Sequence, residues 1–427
     1  MRDLTILLLL MALGWLAFIK PWLGVLGLVI IGLLHPQGYG QAFMQTFPAY
    51  LAMFVAVTLS ATWHYARRRE WPRVGWDWRI AVFAMLWAWF VVTTFMSINH
   101  WLAWPKLREV AKLLPPLLLV LALVDTREKL HAMVITMALC LAAIVVKGGY
   151  WAFITGFHDR VYGPPGSQYG DNNEFAVAVC MGIPLLALWY RSARTSMLRV
   201  LVASLIVLAF AAALSSWSRG GLLSLGAVTF LLLWHSKHKM IAIPLIAVAA
   251  TLAFFALPEQ WIERMASIGS YQGDGSALSR LSVWQVGIDF VREHPLAGGG
   301  FEGWVFITSG EGQFMDWHSA YVEMAAEHGL VGLALWGSLI FGTMASLTWL
   351  IRLGRMRGDV WLADHSAMLR ASLVAYAVGC AFLGIAYWEL LYLVIISAML
   401  VSRFVQHGIS ADTVSDRSLK MHVEMAG

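Results

Sequence analysis

Charge is scarce in this sequence. Of its 427 residues only 13% are Asp, Glu, Lys or Arg, against 59% that are hydrophobic. An ordinary water-soluble domain carries about a quarter charged residues, so a chain whose solvent is mostly water is excluded. Cysteine is scarcer still. Cys140, Cys180 and Cys380 stand singly inside apolar runs, which supports neither a disulfide framework nor a thiolate metal site. No DxD or HExxH pattern provides a metal centre, and "DNNE" (Asp171 to Glu174) keeps a metal only as a minor alternative. The net charge of +5 does not mark a nucleic-acid binder, because the basic residues fall in short connections between apolar runs.

Those apolar runs fill nearly the whole chain. A crossing takes roughly 20 apolar residues for a hydrocarbon core about 30 Å thick. Spans are expected at 4–19, 22–34, 48–64, 80–97, 107–124, 130–147, 173–190, 198–214, 219–234, 240–256, 329–351, 366–386 and 389–405. The 22 Trp and 12 Tyr gather at the ends of many of these runs, as rings anchored at headgroup level do. The opening "MRDLTILLLLMALGWLAFIKPW" has the charged start of a signal peptide. No small-residue cleavage pattern follows, and apolar sequence resumes after Lys20-Pro21, so it reads as an uncleaved membrane segment. Residues 1–34 hold either two crossings or one, which leaves the total at 12 or 13.

The basic connections are "ARRREWPR" (Ala66 to Arg73), "DTREK" (Asp125 to Lys129), "YRSARTSMLR" (Tyr190 to Arg199), "HSKHK" (His235 to Lys239) and "IRLGRMR" (Ile351 to Arg357). They occupy every second loop, so all five can face the cytoplasm together. The alternate loops are then external. The long one, Leu257 to Trp317, holds three arginines against eight acidic residues, opposite to the cytoplasmic bias. The organisation expected is an all-α polytopic membrane protein: a transmembrane bundle over 1–256, an external loop with amphipathic helices over 257–318, further spans over 319–405 and a cytoplasmic tail over 406–427.

Three polar residues of the external loops stand out. Arg219 in "LSSWSRGGLL" lies at an external helix end, where an arginine costs about 2.5 to 3.5 kcal/mol if it sinks into the bilayer. It either snorkels to lipid phosphates or forms an anion clamp, with Gly220 and Gly221 allowing close backbone approach. Arg280 follows "YQGDGSA" and begins a segment whose Leu278, Leu281, Trp284 and Ile288 recur at helical spacing, as in a helix lying at the membrane surface. Arg264 and Arg292 read as solvated. His318, in "MDWHSAYVEMAAEHG", precedes a helix that Asp316 or Ser319 can cap. A lone histidine there is usually structural, whereas one facing two arginines across a surface cavity is a candidate base near neutral pH.

Two arginines, a histidine and a membrane cavity suit transfer from a lipid-linked pyrophosphate. Arginine pairs bidentately with phosphate, and a pyrophosphate is a good leaving group from an anomeric carbon. Direct attack by the acceptor inverts that centre. A covalent route wants paired carboxylates, for which Glu323 and Glu389 are weak candidates. A lipid-linked glycan transporter is the alternative outside enzymology, but it calls for inverted repeats and midplane charge, and neither is evident.

"SRGG" (Ser218 to Gly221), the arginine in "SALSRLSVW" (Ser276 to Trp284) and "HSAYVEMAAEHG" (His318 to Gly329), which fits His-Ser-(nine residues)-Gly, resemble the O-antigen ligase (WaaL) family within the O-antigen ligase/polymerase superfamily. The resemblance covers nearly the whole chain. It implies a GT-C-like inner-membrane glycosyltransferase with a periplasmic site. Such an enzyme moves a glycan from undecaprenyl pyrophosphate to lipid A-core without a metal or other cofactor. By position Arg219 and Arg280 take the pyrophosphate-binding roles and His318 that of the base. "VVKGGYW" (Val145 to Trp151) with "VYGPPGSQYGDNN" (Val161 to Asn173) is also similar to the exosortase-associated O-glycosylation ligases, which keeps a protein acceptor open beside O-antigen polymerisation. Lys147, Tyr162, Asn172 and Asn173 are candidate donor contacts, unless they only build a capped glycine-rich turn. Trp388 and Glu389 are candidate sugar contacts, unless the tryptophan belongs to the interfacial belt.

Overall fold

A computed structural model describes residues 2–41, 43–69, 72, 74–236, 239–266, 275–310 and 315–424, with side chains placed except at 275–277, 310 and 407–424. Among these residues the secondary structure is helical throughout. In chain order the helices are α1 (Arg2–Ile19), α2 (Pro21–Leu34), α3 (Phe43–Thr46), α4 (Ala49–Arg68), α5 (Trp78–Phe95), α6 (His100–Ala111), α7 (Leu114–Leu123), α8 (Arg127–Ile154), α9 (Asn172–Ser192), α10 (Ser196–Ser215), α11 (Arg219–Trp234), α12 (Lys239–Ala256), α13 (Glu259–Ala266), α14 (Gly275–Glu293), α15 (Trp304–Gly310), α16 (Ala320–Arg357), α17 (Val360–Gly379) and α18 (Glu389–Glu424). Eight of them are long and apolar enough to cross a membrane, as expected of a polytopic membrane protein.

The first 34 residues form two helices rather than one broken crossing. Pro21 sits at the first position of α2, where its missing N–H costs nothing, and the chain reverses there. Gly24 and Gly27 of α2 lie against Ala17 and Leu13 of α1, so the two run antiparallel. Asp3 at the start of α1 accepts from the Gln41 N–H at 2.7 Å, just beyond the end of α2. Both outer ends of this hairpin therefore lie at one end of the bundle, the end where Gly32 abuts the Glu389 carboxylate.

The basic connections collect at the opposite end. Arg127 pairs with Asp359 at 2.9 Å and Arg191 with Asp364 at 2.6 Å, while Arg403 reaches the carbonyls of Leu121 and Val124 at the end of α7. Asp77 caps α5 and holds Arg79 at the same end, next to Ser402 of α18. This segregation follows the loop alternation read from the sequence.

Several elements depart from the expected spans. The run 107–124 is not one helix: a turn at Lys112 and Leu113 separates α6 from α7, with Pro115 and Pro116 opening the second piece. The helix expected to begin at 329 begins at Ala320, and Gly329 interrupts it with φ 67° and ψ −175°. Helix α8 also runs past its expected end to Ile154, because Gly148 and Gly149 let it close on α10: a methyl on Gly149 would lie 2.5 Å from the Leu208 carbonyl. The two glycines of "KGG" thus serve packing.

Candidate functional site

The turn before Arg219 is fastened from every side. Trp217 takes a left-handed backbone (φ 57°), uncommon for a bulky residue. Ser218 then caps α11, its hydroxyl accepting from the Gly221 N–H at 3.1 Å. Asn172 Nδ2 donates to the Ser216 carbonyl at 2.7 Å, Trp217 Nε1 donates to Phe157 O at 3.1 Å, and Ser215 Oγ donates to Asp159 O at 2.8 Å. From α13, Arg264 Nε donates to the Trp217 carbonyl at 3.0 Å. Arg264, read as solvated, is instead part of this scaffold, while Arg292 is mostly exposed and pairs with Asp289, as expected. Arg219 itself is half-buried at the first position of α11.

The second motif repeats the device. His318 also has a left-handed backbone (φ 46°) immediately before a helix start. Ser319 is the cap residue of α16 but makes no side-chain cap bond, and Asp316 accepts from the neighbouring Trp317 N–H at 2.6 Å instead. The first stretch of α16, residues 320–328, is a short buried half-helix ending at Gly329. Its last carbonyls are satisfied by a glycine loop: Gly299 N–H donates to Ala326 O at 2.8 Å and Gly300 N–H to Glu327 O at 2.7 Å. Leu330 N–H donates to Pro295 O at 2.8 Å on the far side of the break. The glycine that closes the His-Ser-(nine)-Gly pattern is this break.

Helix α14 lies across the His318 loop. Trp284 Nε1 donates to the Trp317 carbonyl at 2.8 Å, and Gly287 admits the Trp317 ring. The packed face is therefore Val283 and Gly287, whereas Leu278, Leu281 and Ile288 of the expected stripe are exposed on the outside. The Trp284 ring also meets Phe382 at 6.3 Å, and Phe382 covers Gly220. Arg219, Arg280 and His318 so come to the same end of the bundle. The preceding "YQGD" (Tyr271 to Asp274) lies outside the described residues.

His318 sits between opposite charges. Burial lowers its pKa below the ordinary histidine value, the Arg280 guanidinium lowers it further, and the carboxylates of Asp316 and Asp171 oppose both. The Asp316 carboxyl is itself raised by burial. Behind Asp316 the acidic side continues through Glu302, also left-handed at φ 57°, whose carboxylate lies 3.6 Å from Lys106 Nζ and accepts from Trp304 Nε1 at 2.8 Å. Further in, Glu323 accepts from the Ala386 N–H at 3.2 Å. Glu327 accepts from the Glu302 N–H at 3.0 Å and from Tyr387 at 2.9 Å, and Tyr387 meets His328 Nε2 at 2.8 Å. Sequence reasoning missed Glu302, Glu327, His328 and Tyr387. The sequence-level signal was two acids four apart, Glu323 and Glu327, on one face of a short helix.

The remaining candidates divide. Asn172 is buried and serves the Ser216 carbonyl, while Asn173 bonds Asp171, which caps α9; the capped-turn reading describes both. Lys147 and Tyr162 are exposed at this end. Trp388 and Glu389 are buried in the bundle, the first edge-on to Tyr169 at 5.1 Å and the second accepting from Tyr50 at 2.7 Å.

Residues 204–337 match the family model described as O-antigen ligase. Residues 1–195 match a family of unknown function (DUF5935). No curated protein matches the chain. The segment that matches the O-antigen ligase model runs through Arg219, Arg280 and His318, and the match supports an assignment to that family.

Proposed function

We propose that this protein is an O-antigen ligase that moves a glycan from undecaprenyl pyrophosphate to a hydroxyl of lipid A-core at the periplasmic face of the bacterial inner membrane. The observation that carries the reading is that His318 lies within the electrostatic reach of Arg280, Asp316 and Asp171, at the end of the bundle where Arg219 also stands. The antiparallel α1–α2 hairpin favours 13 crossings, with the basic end in the cytoplasm.

The diphosphate docks on Arg219 and Arg280, each charge-assisted bond contributing about 1.5 to 3 kcal/mol. The lipid tail lies among the helices. The acceptor hydroxyl approaches on the acidic side, and His318, neutral because its pKa is lowered, takes the hydroxyl proton on an unprotonated ring nitrogen. The acceptor oxygen attacks the anomeric carbon as its bond to the diphosphate oxygen breaks. The electron pair leaves with undecaprenyl pyrophosphate, where the arginines stabilise it, and the anomeric centre inverts. No metal enters this scheme.

The carboxyl groups of Asp316 and Glu302 near His318 favour an acceptor that presents uncharged hydroxyls, with which a carboxyl group can hydrogen-bond whether or not burial keeps it protonated. This observation supports a second reading, in which the acceptor is a growing glycan or a protein hydroxyl. The deciding experiment is transfer by purified protein in nanodiscs with chelator, donor and either lipid A-core, free glycan or a Ser/Thr-rich polypeptide. A product on lipid A-core alone supports the ligase. A product on either other acceptor alone replaces it, and donor binding without transfer to any acceptor rejects the scheme.

A further inference from the structure

We propose that a cavity at the basic end of the bundle, remote from His318, binds the phosphate headgroup of a membrane phospholipid. The cavity, of about 400 Å³, opens between the N-terminus of α5, α16 and α18, and Trp76, Trp78, Trp349, Arg79, Ser402 and Gln406 line it. Its size falls in the range of small-molecule sites and far exceeds what one ordered water fills.

Arg79 makes this more than an interfacial groove. Its side chain is 1% exposed and clamps Asp77 through Nε at 2.8 Å and Nη2 at 2.6 Å, with a third bond from Nη2 to Ser402 Oγ at 2.8 Å. Its Nη1 has no hydrogen-bond partner. A buried guanidinium nitrogen without an acceptor is costly, and an oxygen supplied from outside the protein removes that cost. Asp77 cannot supply it, because its oxygens already serve Arg79 and the α5 cap.

The surroundings favour a lipid as the source of that oxygen. The site stands at the α5 N-terminus, whose partial positive charge adds to that of Arg79. It is level with the basic connection Ile351 to Arg357, which begins two residues along α16 from Trp349. Trp76 and Trp349 are exposed, as are interfacial rings that meet lipid, so a headgroup can enter sideways while its acyl chains stay outside. Phosphate oxygens accept from Nη1, and the tryptophan N–H groups add donors for the glycerol and ester oxygens, while the Ser402 hydroxyl proton already goes to the Ala398 carbonyl. This proposal does not rest on the transfer reading.

The test is native mass spectrometry of the delipidated full-length protein titrated with phosphatidylglycerol, alone and against excess inorganic phosphate. One retained lipid per chain is expected, undisturbed by inorganic phosphate. Arg79→Gln is expected to weaken it about tenfold or more, the worth of one charge-assisted bond. Trp349→Ala, which leaves the Arg79–Asp77 pair in place, should also weaken it even if Arg79→Gln fails to fold, whereas Trp101→Ala at the other end should not. Lipid binding at wild-type strength in Trp349→Ala and in a folded Arg79→Gln overturns the proposal. So does displacement by inorganic phosphate, or absence of any retained lipid.

Discussion

Substituting Gly329 with alanine tests whether the break in α16 positions the histidine loop. The residue has φ 67° and ψ −175°, a region only glycine occupies freely, and holding an L-residue there costs about 1 to 3 kcal/mol. The added methyl would also overlap the Leu296 carbonyl and press on Ala297 N, both backbone atoms, so no rotamer change relieves it. The two strands of chain must part, and the bonds from Gly299, Gly300 and Leu330 to the carbonyls of Ala326, Glu327 and Pro295 weaken together. At about 0.5 to 1.5 kcal/mol each these add roughly 1.5 to 4.5 kcal/mol, for a total of about 2.5 to 7.5 kcal/mol. Gly226→Ala on α11 is the control, because nothing lies within 4 Å of its new methyl and helix propensity favours it by about 1 kcal/mol. Thermal unfolding in detergent and glycan transfer are measured for both. Gly329→Ala should melt well below wild type and lose transfer, and Gly226→Ala should do neither. A Gly329→Ala protein that melts and transfers like wild type refutes the reasoning.

His318→Ala should lower transfer about 100- to 10,000-fold while donor binding, measured separately, is largely kept; equal loss of both would remove the base role. The base must be unprotonated, so transfer falls as pH drops through the lowered His318 pKa. Arg280→Gln removes a charge that lowers this pKa and should move the acid limb of residual activity to higher pH. Asp316→Asn removes one that raises it and should move the limb to lower pH. Shifts in the same direction, or none, would contradict the charge partition. Asn172→Ala strips the Ser216 carbonyl of its buried donor, at about 1 to 3 kcal/mol, and should weaken donor binding through Arg219; unchanged melting and unchanged donor affinity would make that bond incidental.

The parts of this molecule governed by repetitive physics were readable in advance. Apolar length located most of the spans from α4 to α18, though not the break between α6 and α7 or the early start of α16, and charge alternation grouped the basic connections at one end. What escaped reading depends on single approaches between distant segments. Nothing local in "VVKGGYW" distinguishes a donor contact from a contact with Leu208 some 60 residues on, and only the assembled pair of helices does. Arg264 looked solvated because its acceptor is a backbone carbonyl, invisible to any residue pattern. Likewise Glu327 and His328 read as ordinary helix positions, since the hydroxyl that joins them belongs to Tyr387, about 60 residues away.

The two short motifs gain meaning from a feature they share. In "SSWSR" and "DWHS" a bulky residue, Trp217 or His318, is forced into the left-handed region directly before a helix begins. That turn redirects the chain so that the first turns of α11 and α16 start at the site end, where α9 also starts with Asp171 and Asn172. Helix N-termini carry partial positive charge and free N–H groups, the electrostatic complement of a diphosphate. The caps differ in a useful way. Ser218 spends its hydroxyl on α11, which fixes Arg219, whereas Ser319 makes no side-chain cap bond to α16. The α16 end thereby leaves its first N–H groups without that intramolecular acceptor, beside the imidazole assigned to the acceptor proton. A strained residue at each entrance thus gives one helix a fixed cation and the other an uncapped start, a difference that suits the proposed division of labour between arginine clamp and histidine base.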